Sequence, residues 1–316
     1  MRKISEEHLI SSAKVAVERE NKLEKIDGLN YQFNGACPHI GKMSPGCLSC
    51  FDLIDFGKTI KLGSSCNLDC IYCHDRPEKR KRSEREIKDQ LAQVYRSSLD
   101  ERLQRMERLH FCFTGCEPFL HFSRMRKFLE IAEKLQRKIP KNIRVKIYTN
   151  GLPLDEKKLD ILERLEVGEI ELRFHPSASD FSERVMRIME QVAHRNFRLT
   201  VEETLYPPNR KKLLAHLPNF EKLGIHHLLL KEPRIFFADG IERIINDYPQ
   251  AKFYAESKLY MYSEGLPYQV FDKYLSQSHS YNIFYCNPKT ISFRGVNESI
   301  SRKLEEVDII FDDNLY

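Results

Sequence analysis

The sequence contains no run of about 18 uncharged apolar residues, the length a membrane-spanning helix needs. Its opening stretch, Met1 to His8, has no apolar core, so a signal peptide is not expected either. No membrane partner is therefore predicted. There is no strong charge of one sign: 51 basic and 46 acidic side chains leave a net charge of +5. That balance does not by itself argue for nucleic acid. Arginine–aromatic interleaving and RNA-binding modules are also missing, and nucleic acid stays an open partner. No solenoid repeat or low-complexity tract interrupts the chain. What remains is 316 residues with 41% hydrophobic and 31% charged side chains, enough to bury a real core. The length is long for one domain but ordinary for an α/β barrel with extensions.

What the sequence does have is cysteine in one place. Six of its nine cysteines lie between Cys37 and Cys73. Without an export signal, the expected compartment is the reducing cytoplasm. Clustered cysteines there bind metal or do redox chemistry more often than they form disulfides.

The chain has a clear rhythm. Residues 5–26 read as a helix, with Leu9, Ile10, Ala13, Ala16 and Val17 at helical spacing. Residues 27–57 read as loop and carry the first cysteine group. From residue 58, strands and helices alternate. Strands are predicted at 58–63, 108–115, 143–151, 169–175, 197–205 and 226–232. Helices are predicted at 84–108, through Met125, Phe128, Leu129 and Ala132, and over "EKKLDILERL", "SERVMRIMEQVAH", 209–224 and 238–247. Ser83 and Glu86 are spaced as a capping box, and Ser182 is a predicted N-cap. Six βα units argue for a parallel α/β fold, a partial (β/α)6 TIM-like barrel. The predicted organisation is an N-terminal helix and cysteine segment (1–57), a core barrel (58–248) and a small C-terminal α+β extension (249–316).

Strand alternation separates two faces. Leu109, Phe111, Phe113, Ile170, Leu172, Phe174, Leu199 and Val201 form an apolar face suited to packing helices. His110, Cys112, Glu171, Arg173, His175, Thr200, Glu202 and Thr204 share the other. Parallel sheets are normally covered on both faces. The polar face is therefore expected to line a hydrated or ligand-filled lumen.

Spacing alone permits two groupings of the cysteines. Cys47, Cys50, Cys70 and Cys73 make C-x2-C-x19-C-x2-C, which suits structural zinc but leaves Cys37 and Cys66 without a role. Alternatively, Cys66, Cys70 and Cys73 form C-x3-C-x2-C directly after a strand. Three such thiolates can hold three irons of a [4Fe–4S] cluster and leave the fourth iron open. With Tyr72 before its last cysteine, this motif resembles the signature of the radical SAM (S-adenosylmethionine) superfamily. Two strand-end sequences add to the resemblance. "FTGCEP" (113–118) resembles the family's "GGE" motif, and "YTNG" (148–151) matches a common family sequence at that place.

The resemblance implies that Cys66, Cys70 and Cys73 ligate the cluster. It implies that SAM chelates the open iron and is cleaved by one electron to a 5′-deoxyadenosyl radical, which abstracts hydrogen from substrate. The cofactor-binding residues it implies are Tyr72, Gly115, Cys116, Glu117, Asn150, Glu171, Arg173 and Glu202. Glu117 and its backbone would take the methionyl amine, and Glu171, Arg173 and Glu202 the SAM ribose and carboxylate. A flavodoxin or ferredoxin type electron donor is expected. Cys116 departs from the motif, replacing its second glycine with a side chain that narrows the approach of the methionine moiety.

Cys37, Cys47 and Cys50 are then one ligand short of a closed site. Cys286, in "FYCNPKT", is the favoured fourth, ahead of Cys112, His39 or substrate. A second, auxiliary [4Fe–4S] cluster is expected there, with structural zinc and plain thiols as alternatives. C-x9-C-x2-C also resembles the cluster motif of the Elongator tRNA-modifying subunit, but the barrel motifs follow Cys66–Cys73 instead. Auxiliary clusters make a peptide the first substrate class expected, ahead of tRNA or a small molecule. The contrasting class is a non-catalytic zinc-stapled binding module. The basic run "RPEKRKRSER" (76–85) reads as a solvated helix entry or an anionic-partner surface. The Tyr-rich "KLYMYSEGLPY" (258–268) reads as packing. His175 and Lys231 are lumen residues for acid–base work or substrate binding.

Overall fold

The structure is a computed structural model. It describes residues 6–32, 37–48, 55–63, 65–73, 108–137, 142–235, 238–255, 259–277 and 279–287. The strands in chain order are β1 (Asn30–Gln32), β2 (Cys37–Ile40), β3 (Asp55–Ile60), β4 (Arg108–Phe113), β5 (Asn142–Thr149), β6 (Glu169–Phe174), β7 (Arg198–Thr204), β8 (His227–Lys231), β9 (Phe253–Ala255), β10 (Leu259–Met261) and β11 (Asn282–Cys286). β9 and β10 form a separate antiparallel pair. The other nine make one sheet in the order β1-β2-β11-β8-β7-β6-β5-β4-β3.

All pairings from β3 to β8 are parallel and join consecutive strands, and β11 continues the series beside β8. This is the parallel α/β sheet that the βα rhythm predicts. The six core strands all form. Among the described residues the sheet stays open, with β3 at one edge and β1 at the other.

The apolar face packs as its alternation implies. Phe111 and Phe113 each meet the ring of Phe128 edge-on, at 5.3 and 5.2 Å between centroids. Leu172, Val201, Leu228 and Leu230 join the same core with Leu159 and Leu162, Val185 and Met189, and Leu217 and Phe220 from the covering helices. The helices over that face are Phe122–Gln136, Glu156–Glu163, Glu183–Ala193, Arg210–Lys222 and Leu266–Leu275. Ser182 caps its helix as expected, accepting from the Val185 amide, and Asp155 does the same for Lys158. The predicted helix 84–108, with the capping box at Ser83 and Glu86, lies outside the described residues except Arg108, which begins β4, and the whole basic run lies outside them too.

Two places differ from the expectation. Residues 27–57, expected as loop, supply β1, β2, the start of β3 and a single helical turn, Pro45–Leu48. β2 pairs antiparallel with β11, aligning Phe284 with His39. The segment after residue 249, expected as an appended piece, thus puts its last described strand into the main sheet. Neither strand announces itself locally: both are short, and although β2 pairs with β1 close by, its pairing with β11, like that of β11 with β8, joins segments more than 50 residues apart.

The polar face is the second difference. It is not an open lumen at the level of Glu171 and Arg173. Lys146, Glu171, Arg173, Thr200 and Glu202 are all buried. Residues 44–47 lie across them: Lys146 donates to the Gly46 carbonyl at 2.9 Å, and Arg173 donates to Ser44 Oγ at 3.0 Å. The N-terminal cysteine segment therefore fills this part of the face itself.

Candidate functional site

At the C-terminal ends of β3, β4 and β5, three loops meet. The loop after β3 carries Cys66, Cys70 and Cys73, the last two joined in a turn by the Cys73 amide and the Cys70 carbonyl (3.0 Å). Its base is clamped by the loop after β4: the Thr114 amide bonds to Ile60 O at 3.2 Å and the Glu117 amide to Ser65 O at 3.1 Å. Arg124 reaches Leu62 O at 3.1 Å. The His121 ring lies over Gly63 so closely that a Cβ there would come within 2.3 Å of it, so a larger residue would have to push that ring aside.

Asn150, just past β5, joins this assembly. Its Nδ2 donates to Asn67 Oδ1 at 2.9 Å and lies 4.0 Å from Cys66 Sγ. The sequence motifs "CNLDCIYC", "TGCEP" and "YTNG" thus come together at one end of the sheet, where active sites of parallel α/β folds are found.

Glu117 holds the three loops in register. Its carboxylate accepts from the Phe119 amide (3.1 Å), Thr149 Oγ1 (2.8 Å) and the Asn150 amide (2.8 Å), and it is fully buried. Burial pushes its pKa up to about 7, against the pull of those hydrogen bonds. Gly115 and Cys116 before it both have left-handed backbones, with φ of 84° and 56°. Cys116 thus adopts the conformation that a glycine would take at lower cost.

The donor set suits a cationic iron–sulfur group. The Cys70 thiol is pushed up to about 12, by burial first and then by Cys73 and Cys66. Cys66 is raised too, chiefly by burial. Three thiols that oppose one another's ionisation are stabilised as thiolates when irons sit among them. Tyr72, half-buried, packs on Tyr206 at 5.9 Å between ring centroids and hydrogen-bonds Ser177 Oγ at 3.3 Å. Arg243 pairs with Asp69 at 2.9 Å and ties the loop to the helix Ala238–Asp247.

Glu171, Arg173 and Glu202 sit deeper. Arg173 donates to Glu171 Oε1 (2.7 Å), Glu202 Oε2 (3.0 Å), Tyr148 Oη (3.3 Å), Ser44 Oγ (3.0 Å) and Cys47 Sγ (3.5 Å). Lys231 bonds Glu202 Oε1 at 2.8 Å, and His175 lies 3.9 Å from the same oxygen. Despite burial, the flanking cations hold Glu171 down to about 2 and Glu202 well below the usual carboxylate range. His175 is lowered, first by burial, which favours its neutral form.

The second cysteine group is also partly assembled. Cys37, Cys47 and Cys286 contribute to one buried patch with Met43, Leu48, Leu229 and Phe284. Cys286 lies opposite Lys231 in the β8–β11 register. Cys50 lies outside the described residues. No three His, Cys, Asp or Glu side chains among the described residues converge on a single metal-ion position.

Several site residues escape sequence reading. Lys146 and Tyr148 share the polar face with Asn150 by simple alternation in "RVKIYTN", a signal that was present. Ser177, Glu203, Ser44 and Gly46 carry no local signal. Glu203 sits on the apolar face, fully buried, where Oε1 takes the Ser177 amide at 3.2 Å and Oε2 has no hydrogen-bond partner among the described residues.

Residues 60–205 match the family model described as the Radical SAM superfamily. No curated protein matches the chain. Among solved structures, the chain is similar to Streptococcus suis SuiB bound to S-adenosylmethionine, with a TM-score of 0.46 and 14% identity over 62% of this chain and 47% of that one. It is similar to hexahistidine-tagged anSMEcpe with bound AdoMet, with a TM-score of 0.46 and 15% identity over 61% and 58%. It is also similar to S. suis SuiB bound to the precursor peptide SuiA, with a TM-score of 0.42 and 11% identity over 69% and 51%. The chain spans about half the length of these proteins. Among the described residues, no helix is long and apolar enough to cross a membrane.

Proposed function

We propose that this chain, a radical SAM enzyme whose family domain spans residues 60–205, holds a [4Fe–4S] cluster on Cys66, Cys70 and Cys73 and binds SAM against the ends of β4 and β5. The observation that carries this reading is Asn150, whose side chain touches both Asn67 and Cys66 while its amide is held by Glu117. When bound, the cluster supplies one electron that cleaves SAM, and substrate then loses a hydrogen atom.

The chain's own residues orient and enclose this chemistry. Gly115 and Cys116 offer backbone to the methionyl end of SAM. Glu117 sets the spacing between that backbone and Asn150, with its carboxylate already taking three donors. Tyr72, held by Ser177, fixes the last turn of the cysteine loop. Glu171 and Arg173 are committed to one another and to residues 44–47, so we move them from the SAM contacts to the floor beneath the site. Glu202, His175 and Lys231 form its next layer, where Lys231 keeps about a third of its side chain exposed. The six parallel core strands would curve as a partial barrel around this mouth.

Cys37, Cys47 and Cys286, with Cys50, are proposed to hold a second [4Fe–4S] cluster. Zinc draws four donors onto one ion, whereas a cluster offers each thiolate its own iron. What supports the reading is that Cys37, Cys47 and Cys286 share one buried patch. A flavodoxin or ferredoxin type protein is the proposed electron donor, and a peptide the first substrate class to try, before tRNA and small molecules. Iron counting tests the cofactor content. Anaerobically reconstituted protein should be brown with about eight irons per chain, two four-iron clusters. A colourless, zinc-loaded protein that leaves SAM intact overturns the enzyme reading. About four irons, unchanged when Cys37, Cys47 and Cys286 are replaced by Ala, removes the second cluster alone.

A further inference from the structure

A carboxyl stands where the apolar face of the sheet should continue. Glu203 follows Leu199 and Val201 on the same side of β7, and it is fully buried. Alternation asks for an apolar residue there, and a buried carboxyl is costly unless it is hydrogen-bonded. Its partner lies one strand away. Just past β6, Pro176–Ser179 form a single 3-10 turn. The first amides of such a turn have no partner inside it. Pro176 has no N–H, so Ser177 offers the first of them. Among the described residues, the His175 side chain at the cap position gives the turn no hydrogen bond. Glu203 supplies the acceptor from β7 instead, where Oε1 takes the Ser177 amide at 3.2 Å. The far end of the turn is costly as well, since Asp180 and Phe181 both have left-handed backbones, with φ of 55° each. A turn of this kind keeps its shape only where its surroundings fix it.

The same turn carries the seat of Tyr72. Ser177 Oγ lies 3.3 Å from Tyr72 Oη, and the Tyr72 ring packs on Tyr206 against an apolar patch that includes Ile244, Phe253 and Met261. Apolar packing is non-directional, so the contact at the hydroxyl is what aims the ring. Tyr72 stands between Cys70 and Cys73, inside the turn that joins them. The charge of Glu203 reaches Tyr72 electrostatically as well.

We propose that Glu203 is a positioning residue for the SAM site: by holding Ser177 it aims Tyr72, and with it the Cys70–Cys73 turn beside which SAM binds. This rests on the function proposed above. It gives a reason for a carboxyl on the apolar face, because an apolar residue there would leave the Ser177 turn without its acceptor. Glu203→Gln keeps an oxygen that can take the Ser177 amide, and Glu203→Leu removes it.

The test measures the Kd for SAM by equilibrium dialysis, without reductant so that no turnover enters. Wild type and variants are reconstituted anaerobically and their iron is counted first. Glu203→Leu, Ser177→Ala and Tyr72→Phe should each weaken SAM binding by roughly two- to tenfold, the worth of one neutral hydrogen bond. Glu203→Gln should recover most of the loss, and a loss as large as that of Glu203→Leu overturns the inference. The double variant with Glu203→Leu and Tyr72→Phe should bind no more weakly than the weaker-binding single variant, because both changes cut one chain of contacts. Independent effects would multiply. A multiplied loss overturns the inference, and so does wild-type affinity in Glu203→Leu with full iron. If Glu203→Leu does not fold, Ser177→Ala decides, and wild-type affinity there overturns it. A wild type that holds no cluster, or holds it and takes up no SAM, refutes the proposed function itself, and the inference falls with it before any variant is compared.

Discussion

Replacing Glu117 tests whether the site depends on one buried carboxylate as a brace. Three donors converge on it: the Phe119 amide, the Thr149 hydroxyl and the Asn150 amide. In Glu117→Gln, the amide oxygen can keep two of them, but the new NH2 then faces the Asn150 N–H. One buried donor loses its acceptor, at a cost of roughly 1–3 kcal/mol. In Glu117→Ala, all three lose theirs and a hole remains, so the loss should be about 3–5 kcal/mol even if water enters. The assay is urea unfolding of the apoprotein under anaerobic, reducing conditions, read by far-UV circular dichroism. The graded order, wild type above Gln above Ala, should be matched by weaker SAM binding in the Gln variant, because Asn150 and the Gly115–Cys116 backbone are positioned through the same carboxylate. A Glu117→Ala variant within about 0.5 kcal/mol of wild type, the range of an inconsequential surface change, would refute the bracing role.

Two further outcomes follow from the same reasoning. Glu203, fully buried with one oxygen unpartnered among the described residues, has its pKa pushed up to about 8 from an ordinary 4.5, chiefly by burial. Between those values the folded chain keeps a proton that the unfolded chain has lost, so its contribution to stability is present below about pH 4.5 and lost as pH rises through 8. At about 1.4 kcal/mol per pH unit that window is worth at most roughly 5 kcal/mol, and Glu203→Gln should flatten the fall in urea midpoint between pH 5 and 8; a variant with the wild-type slope refutes the assignment. Ser182→Ala removes the side chain that caps the helix Glu183–Ala193 and should cost about 1 kcal/mol in thermal or urea unfolding, whereas no measurable loss would show that the cap is not used.

Much of the fold is legible because strands with one apolar and one polar face must alternate. Phe111, Leu172 and Val201 mark the apolar face so regularly that all six core strands are found with ends within three residues of the observed ones. The three converging loops are legible too, since "CNLDCIYC", "TGCEP" and "YTNG" each end or follow a strand. Of the second cysteine group, the fold places Cys286 in the same patch as Cys37 and Cys47, and Cys50 lies outside the described residues. What covers the polar face is not legible. Alternation puts Arg173 there, but its partners Ser44 and Cys47 come from more than 120 residues upstream. For the same reason the join of β2 to β11 is invisible locally: it brings together strands more than 200 residues apart. Glu203 breaks the alternation rule, and only its Ser177 contact shows why it is tolerated.

The central claim is that the Cys66–Cys70–Cys73 loop, braced by Glu117 and Asn150, performs reductive cleavage of SAM. The most direct measurement is 5′-deoxyadenosine released from SAM by the anaerobically reconstituted protein with dithionite, beside the Cys70→Ala variant. The account predicts release by wild type and none by the variant. Equal release from both, or none from a wild-type protein with its full iron content, would contradict it.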